Sequence, residues 1–190
     1  QAELTRIGYQ GQLKCGPRPI KAYLEYHIEQ GPVLESKGIA IGIVEGIVGI
    51  AWLNIEVLGE ADHTGPTPMN RRKDALVSAS EIISLINKIP EELGGNIVMT
   101  VGYVNVQPNV INVIPGSVNF SVDIRSFDDG KVSRANELLR DRASKVCLGK
   151  GTRVEIRELW HISSIHFSED ILQAIRKSCQ DLGYPTLRMI

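Results

Sequence analysis

The sequence predicts an α+β fold: an antiparallel sheet with two amphipathic helices on one face, in the order of a ferredoxin-like sandwich. Three observations predict it. Ala51–Leu58 alternates strictly, with Leu53, Ile55 and Val57 against Trp52, Asn54 and Glu56, as a half-buried strand does. Residues 71–88 place Ala75, Leu76, Ala79, Ile82, Ile83 and Ile86 on one stripe at helical spacing. Residues 51–159 then read strand, helix, strand, strand, helix, strand, enough strand and helix surface to bury a shared core.

The elements follow in chain order. In 22–30, Leu24, Tyr26 and Ile28 alternate with Glu25, His27 and Glu29, which favours a strand stopped by Gly31-Pro32. Val33–Lys37 suits a short helix closed by Gly38. Residues 39–50 are apolar and punctuated by Gly42, Gly46 and Gly49, as in a buried strand that crosses between domains. After the 51–58 strand comes a loop over 59–68, shaped by Gly59, Gly65, Pro66 and Pro68. Pro90 and Gly94-Gly95 end the helical unit. Residues 97–106 and 117–125 are two further strands, and Asp128 or Asp129 caps a helix over about 129–147. Residues 152–159 are a fourth strand. Ser168 caps a third helix that ends at Leu182-Gly183, and 187–190 begins another strand. That last helix lies outside the sandwich repeat. With the N-terminal segment it reads as part of a second domain into which the sandwich is inserted. The Gln-Ala-Glu start and the strand-like end suggest a piece of something longer.

Composition narrows the function classes. Apolar residues make up 43% and charged residues 23% with a net charge of −1, so bulk charge favours neither nucleic acid nor an anionic membrane. No apolar run reaches the roughly 18 residues of a membrane span. Cys15, Cys147 and Cys179 are odd in number and lie far apart, which predicts reduced structural thiols, the last two on apolar helix faces.

Six side chains stand out as candidates for chemistry. His27 lies at a predicted strand end beside Glu29, Gln30 and Gly31, where polar side chains converge on clefts. His63 sits in the shaped 59–68 loop, which can present an imidazole or be an exposed turn. Asn112 lies in an apolar connection where an unpaired amide is costly. Arg125 ends a strand. Asn112 and Arg125 at neighbouring strand ends could grip a carboxylate; the alternative is a surface pair of Arg125 with Asp123. His161 and His166 fall in a hinge-like irregular stretch without a partner spacing.

These places together resemble one family. His27-Ile28-Glu29-Gln30-Gly31-Pro32-Val33-Leu34-Glu35 is similar to the HIEQGPVLE signature of the N-carbamoyl-amino-acid hydrolase and allantoate amidohydrolase branch of the M20-type metallopeptidases. The 59–69 loop resembles GEAxHAGTTPM, with Thr64 and Pro66 departing from it. Residues 108–116 resemble PNxxNVIPG, and Asp123-Ile124-Arg125 matches DxR. The motifs agree in order and spacing over about residues 20–160.

The resemblance implies a hydrolase for the ureido or carbamoyl C–N bond of N-carbamoyl-amino acids or allantoate-like acids. It implies two divalent ions, zinc or manganese with cobalt and nickel possible, and His27 as a ligand of one. Gln30, His63, Asn112 and Arg125 would hold substrate, with His63 reaching into the partner subunit to steady an oxyanion. Residues 48–160 would be a lid and homodimer module; 1–47 and 161–190 would be parts of an α/β zinc-peptidase-like catalytic domain. The remaining ligands and the general base would lie outside this chain, leaving the fragment alone inactive. A cytoplasmic location, without nucleic-acid or membrane partners, is expected. Two other readings are a free-standing ferredoxin-like dimerisation or binding module, and an aminoacylase or dipeptidase of the same superfamily.

Overall fold

The computed structural model describes residues 1–11, 16–17 and 19–190; Cys15 lies outside the described residues. Its elements are α1 (Ala2–Arg6), α2 (Val33–Lys37), β1 (Ile41–Val44), β2 (Gly46–Ile47), β3 (Gly49–Leu58), β4 (Asp62–His63), α3 (Ala75–Ile86), α4 (Ile89–Glu92), β5 (Ile97–Thr100), β6 (Val104–Gln107), β7 (Val113–Ile114), β8 (Ser117–Ser126), α5 (Asp129–Lys150), β9 (Arg153–Ile162), β10 (Ile165–His166), α6 (Glu169–Asp181) and β11 (Thr186–Met189). No helix among the described residues is long and apolar enough to cross a membrane.

The main sheet is antiparallel in the order β5, β8, β3, β9, with β6 also paired to β8. Its inward row is Ala51, Leu53, Ile55 and Val57 on β3 and Val118, Phe120, Val122 and Ile124 on β8, all at most 1% exposed. Against it pack Ala75, Ala79, Ile82 and Ile86 of α3 and Val132, Ala135, Leu139, Ala143, Val146 and Cys147 of α5. Period 2 on the strands and period 3.6 on the helices therefore meet in one core, with both helices on the same face. Leu76, counted in the apolar stripe, is 39% exposed and lies at its rim.

Capping explains where the helices start and stop. The Asp74 carboxylate accepts from the Leu76 and Val77 N–H groups at the start of α3. Asp128 does the same for Gly130 and Lys131 of α5, while the neighbouring Asp129 accepts from the Ser164 N–H and so ties α5 to the end of β9. Gly151, left-handed at φ 67°, closes α5.

The predicted strand over 97–106 is two pieces. Thr100 faces Asp123 and Val104 faces Phe120, so one extra residue sits on this side of the ladder. The excursion is a bulge. It is pinned by the Tyr103 hydroxyl, 2.6 Å from Oδ1 of both Asn54 and Asn119.

Other expectations are corrected. Residues 22–30 form no strand: Leu24, Tyr26 and Ile28 are 65%, 96% and 72% exposed, and no described strand offers an edge to them. Alternation selects a strand only when a neighbour supplies the ladder. His161 and His166 are not in an irregular hinge; they lie in β9 and β10. Helix α3 begins at Ala75, after a 3₁₀ turn over Met69–Arg71, because Asp74 caps it there. Pro90 does not end the unit but occupies the first turn of α4.

Outside the sandwich, β1 pairs in parallel with β11 and β2 pairs antiparallel with β10. The segments before β3 and after β9 are thus hydrogen-bonded to each other. Phe127 and His166 pack there with ring centroids 4.2 Å apart. Cys147 and Cys179 are buried and unpaired, and burial pushes the Cys147 thiol up from its ordinary value.

Candidate functional site

His27 and Gln30 flank a tight turn organised by Glu29. The Glu29 carboxylate accepts from the Val33 N–H (2.7 Å) and the Leu34 N–H (2.9 Å), filling the N-terminal hydrogen bonds of α2 that Pro32 leaves without a side-chain cap. Gln30 adopts φ 55°, a left-handed conformation uncommon for a residue with a Cβ. His27 is exposed, and its Nδ1 lies 2.5 Å from the Ile28 carbonyl oxygen. A carbonyl can only accept, so Nδ1 donates and the Nε2 lone pair faces outward. That is the orientation in which imidazole binds a metal, with its other N–H held by a carbonyl. Among the described residues no group of three or more His, Cys, Asp or Glu gathers to hold an ion, so His27 offers a single ligand.

The His63 loop is held from several sides. β4 pairs with β7, Asp62 opposite Ile114 and His63 opposite Val113. The Thr64 N–H donates to the Asn112 carbonyl at 3.1 Å, and the Gly59 N–H to Gly116 at 2.8 Å. Arg72 donates from Nε to the Thr67 carbonyl (3.1 Å) and from Nη2 to the Thr64 carbonyl (2.7 Å). The Thr67 hydroxyl donates to the His63 carbonyl at 2.7 Å, and the His63 N–H to Asp62 at 2.8 Å. The Thr67 side chain, then the His63 N–H, hold the Asp62 carboxyl below its ordinary range.

The imidazole itself is oriented by the Gly65 N–H, which donates to His63 Nδ1 at 3.0 Å. Nδ1 is therefore an acceptor and the ring proton sits on Nε2. An exposed Nε2–H at the rim of a braced loop is a hydrogen-bond donor aimed away from the protein. The loop borders an open groove of about 500 Å³, lined among others by Thr64, Arg72, Asn109, Val110 and Ile114.

Asn112 and Arg125 do not sit at neighbouring strand ends. β8 begins at Ser117, five residues after Asn112, and Arg125 is its ninth residue. Eight steps along a strand span roughly 26 Å. His63 and Asn112 share one end of the sheet; Arg125 lies opposite Ile50 and Val98 at the other. Nor is Asn112 a buried amide: it is exposed, and its neighbour Ile111 is 100% exposed, so solvation removes the cost expected of it.

Arg125 does make the pair with Asp123. Nε lies 2.9 Å from Oδ1 and Nη2 lies 2.7 Å from Oδ2, and this partner raises the Arg125 pKa further. The pair uses one edge of the guanidinium. Nη1 has no partner among the described residues, so the Nη1–Nη2 edge can receive a second carboxylate.

Two positioning residues were missed from the sequence. Glu29 carries no capping signature in the sequence, because it stands three residues before the N-cap Pro32 rather than at it. Arg72 lay inside a predicted helix; the Pro68 and Asp74 punctuation around it is the signal that it belongs to the loop.

With that geometry in place, comparison with known proteins adds the following. Residues 46–150 match the peptidase dimerisation domain of the M20 type. The chain is 35% identical over 188 residues to an N-carbamoyl-L-amino-acid amidohydrolase of Rhizobium meliloti, covering 99% of this chain and 45% of that protein. It is 34% identical over 171 residues to the allantoate amidohydrolase of Bacillus subtilis, covering 90% of this chain and 42% of that protein. A solved hydantoinase/carbamoylase family amidase of Burkholderia multivorans superposes with a TM-score of 0.88 at 39% identity, over 98% of this chain and 46% of that one. The chain spans less than half the length of these relatives.

Proposed function

Because the chain belongs to the M20 peptidase dimerisation-domain family, with amidohydrolases as its curated relatives, we propose that it forms the lid and substrate clamp of a ureido- or carbamoyl-hydrolysing enzyme. The observation that carries this reading is the tautomer of His63. A histidine fixed as an outward Nε2–H donor suits an oxygen that becomes negative during attack on a carbonyl. It does not suit a metal ligand or a general base, both of which need that nitrogen's lone pair.

The reaction is hydrolysis of a C–N bond in a substrate that also bears a carboxylate. Arg125 takes the carboxylate on its Nη1–Nη2 edge, Asn112 adds an amide contact, and Gln30 orients the substrate beside His27. Two divalent ions, zinc or manganese, would supply a polarised carbonyl and an activated water when bound. His27 would contribute one ligand through Nε2; the other ligands and the general base would lie outside the described residues, so the chain by itself would be inactive. Residues 48–160 would be the lid, and 1–47 and 161–190 parts of the catalytic domain; the β1–β11 and β2–β10 pairings between these flanks support that division. The strand order and the two helices on one face support the ferredoxin-like reading of the lid. Unpaired, buried Cys147 and Cys179 fit a reducing, cytoplasmic location.

Roughly 26 Å of strand separates Arg125 from the His63–Asn112 end. One small substrate cannot touch both within one copy. The reading therefore requires a homodimer in which Arg125 of one copy and His63 and Asn112 of the other share a substrate. In the full-length metal-loaded enzyme, His63→Ala lowers kcat more than it raises KM, and Arg125→Ala chiefly raises KM. Mixing the two variants restores activity, since one site per mixed dimer regains both residues. Mixed dimers that stay as inactive as either parent would sink the shared-site reading.

A further inference from the structure

Among the described residues no helix covers the sheet face turned away from α3 and α5, and beside Arg125 that face is apolar. Residues opposite one another on neighbouring strands point to the same side. The row through Arg125 is Ile162, Ile50, Arg125 and Val98. The next row is Trp160, Trp52, Asp123 and Thr100. Trp52 and Trp160 pack with ring centroids 4.9 Å apart at 58°, yet remain 41% and 44% exposed, and Val98 is 60% exposed. The ladder between β3 and β9 shifts register just after Trp52, so Trp160 faces Trp52 while Glu158 faces Leu53. A bulge of this kind re-aims side chains. Over the next two rows the character changes: Asn54, Asn119 and the Tyr103 hydroxyl form a hydrogen-bonded polar border.

The guanidinium thus stands at the margin of a bounded aromatic and aliphatic platform. Diagonal neighbours across two strands lie about 7–8 Å apart, within reach of long side chains. A carboxylate on the free edge of Arg125 has its α-carbon one bond away, so a substrate side chain can lie over the platform. We propose that Trp52 and Trp160, with Ile50, Val98 and Ile162, form the subsite for the substrate's α-side chain, selecting N-carbamoyl-α-amino acids with aromatic or large aliphatic side chains over allantoate-like acids. This rests on the proposed role of Arg125 as carboxylate clamp. A large apolar side chain removes the exposed indole surface from water. Allantoate carries a second ureido group at that carbon; on this platform its N–H and C=O groups lose water and gain no partner.

The test is kinetics of the full-length, metal-loaded enzyme on N-carbamoyl-L-phenylalanine, N-carbamoylglycine and allantoate, with Trp52→Leu, Trp160→Ala and Arg125→Ala variants. The expected wild-type order of kcat/KM is phenylalanine first, then glycine, then allantoate. Each tryptophan variant should lower the phenylalanine-to-glycine ratio of kcat/KM by about 10-fold or more, the scale of a lost apolar contact in a specificity pocket. Wild-type preference for allantoate or glycine, or a ratio unmoved in both tryptophan variants, overturns the proposal. The two variants differ in severity, so a ratio shift in whichever folds is sufficient. Arg125→Ala separates the two readings. If it leaves all three substrates unaffected while the tryptophan variants shift the ratio, the clamp assignment fails and the platform stands. If no carbamoyl substrate is turned over, both fall.

Discussion

Arg72 provides a measurable link between loop structure and chemistry. Its guanidinium donates to the carbonyls of Thr64 and Thr67, on either side of Pro66, the first of the two prolines that follow His63. A hydrogen bond to a charged donor contributes about 1.5–3 kcal/mol. Arg72 is only half-buried, and screening by solvent roughly halves that, leaving about 2 kcal/mol for the two bonds together. Arg72→Ala should therefore raise the open population of the loop by about 30-fold, since 1.4 kcal/mol is tenfold. Hydrogen exchange on this chain reads it directly: the Thr64 and Gly65 amides, bonded to Asn112 and to His63 Nδ1, should lose protection by that factor. Amides of β3 and β8 should not, because the Arg72 guanidinium bonds to the loop carbonyls of Thr64 and Thr67 and to neither strand. In the full-length enzyme kcat should fall more than KM rises, following the misplaced Nε2–H. Unchanged exchange at Thr64 and Gly65, or equal loss throughout the sheet, would refute the assignment of Arg72 to the loop.

Three further outcomes follow from the same structure. Gly59→Ala places a Cβ 2.0 Å from the Lys73 carbonyl oxygen and 3.0 Å from the Ala75 N, so loop and helix start must move apart. The cost is about 1–3 kcal/mol, readable as a fall in the urea midpoint. Asp128→Ala removes the acceptor for Gly130 and Lys131 N–H and should cost about 1 kcal/mol, with Asp128→Asn retaining most of it. Acidification should weaken three sites together. Asp62 is lowered by Thr67 and His63, Glu45 by Arg188 and Glu92 by Arg142. Because the folded values lie below the unfolded ones, this stabilisation is complete above the ordinary carboxylate range and is lost as pH falls through the depressed values. Urea midpoints taken downward from neutral pH should decline in that window; a midpoint that rises on acidification contradicts the sign.

The sheet and its two helices were legible because each carries its periodic signal within its own segment, even though β3 finds its partners β8 and β9 far along the chain. Leu53, Ile55 and Val57 cannot face the core unless Trp52, Asn54 and Glu56 face away, and the structure has both rows. The same alternation misled at 22–30, where nothing in the local sequence says whether a partner strand exists. The candidate residues were legible one by one, and their grouping was not. Asn112 and Arg125 are 13 positions apart, close enough to suggest one cluster, but the extended strand between them converts sequence proximity into distance. His63 and Asn112, 49 positions apart, are brought together by the β4–β7 bridge, which two residues per strand are too short to announce.

This separation gives the sheet a mechanical meaning. β3 and β8 are paired over ten positions, from Gly49 opposite Ser126 to Leu58 opposite Ser117, without a shift in register. Every inward residue along that ladder is buried, so the two strands form one stiff bar. At one end the bar presents a donor histidine on a braced loop, and at the other a guanidinium beside a bare aromatic face. A stiff bar cannot fold its two ends onto each other. If His63 and Arg125 share one small substrate, as proposed, that substrate must lie between one end of this bar and the opposite end of a second copy's. Under that proposal, the separation that rules out a site within one chain makes pairing of two chains a condition for one.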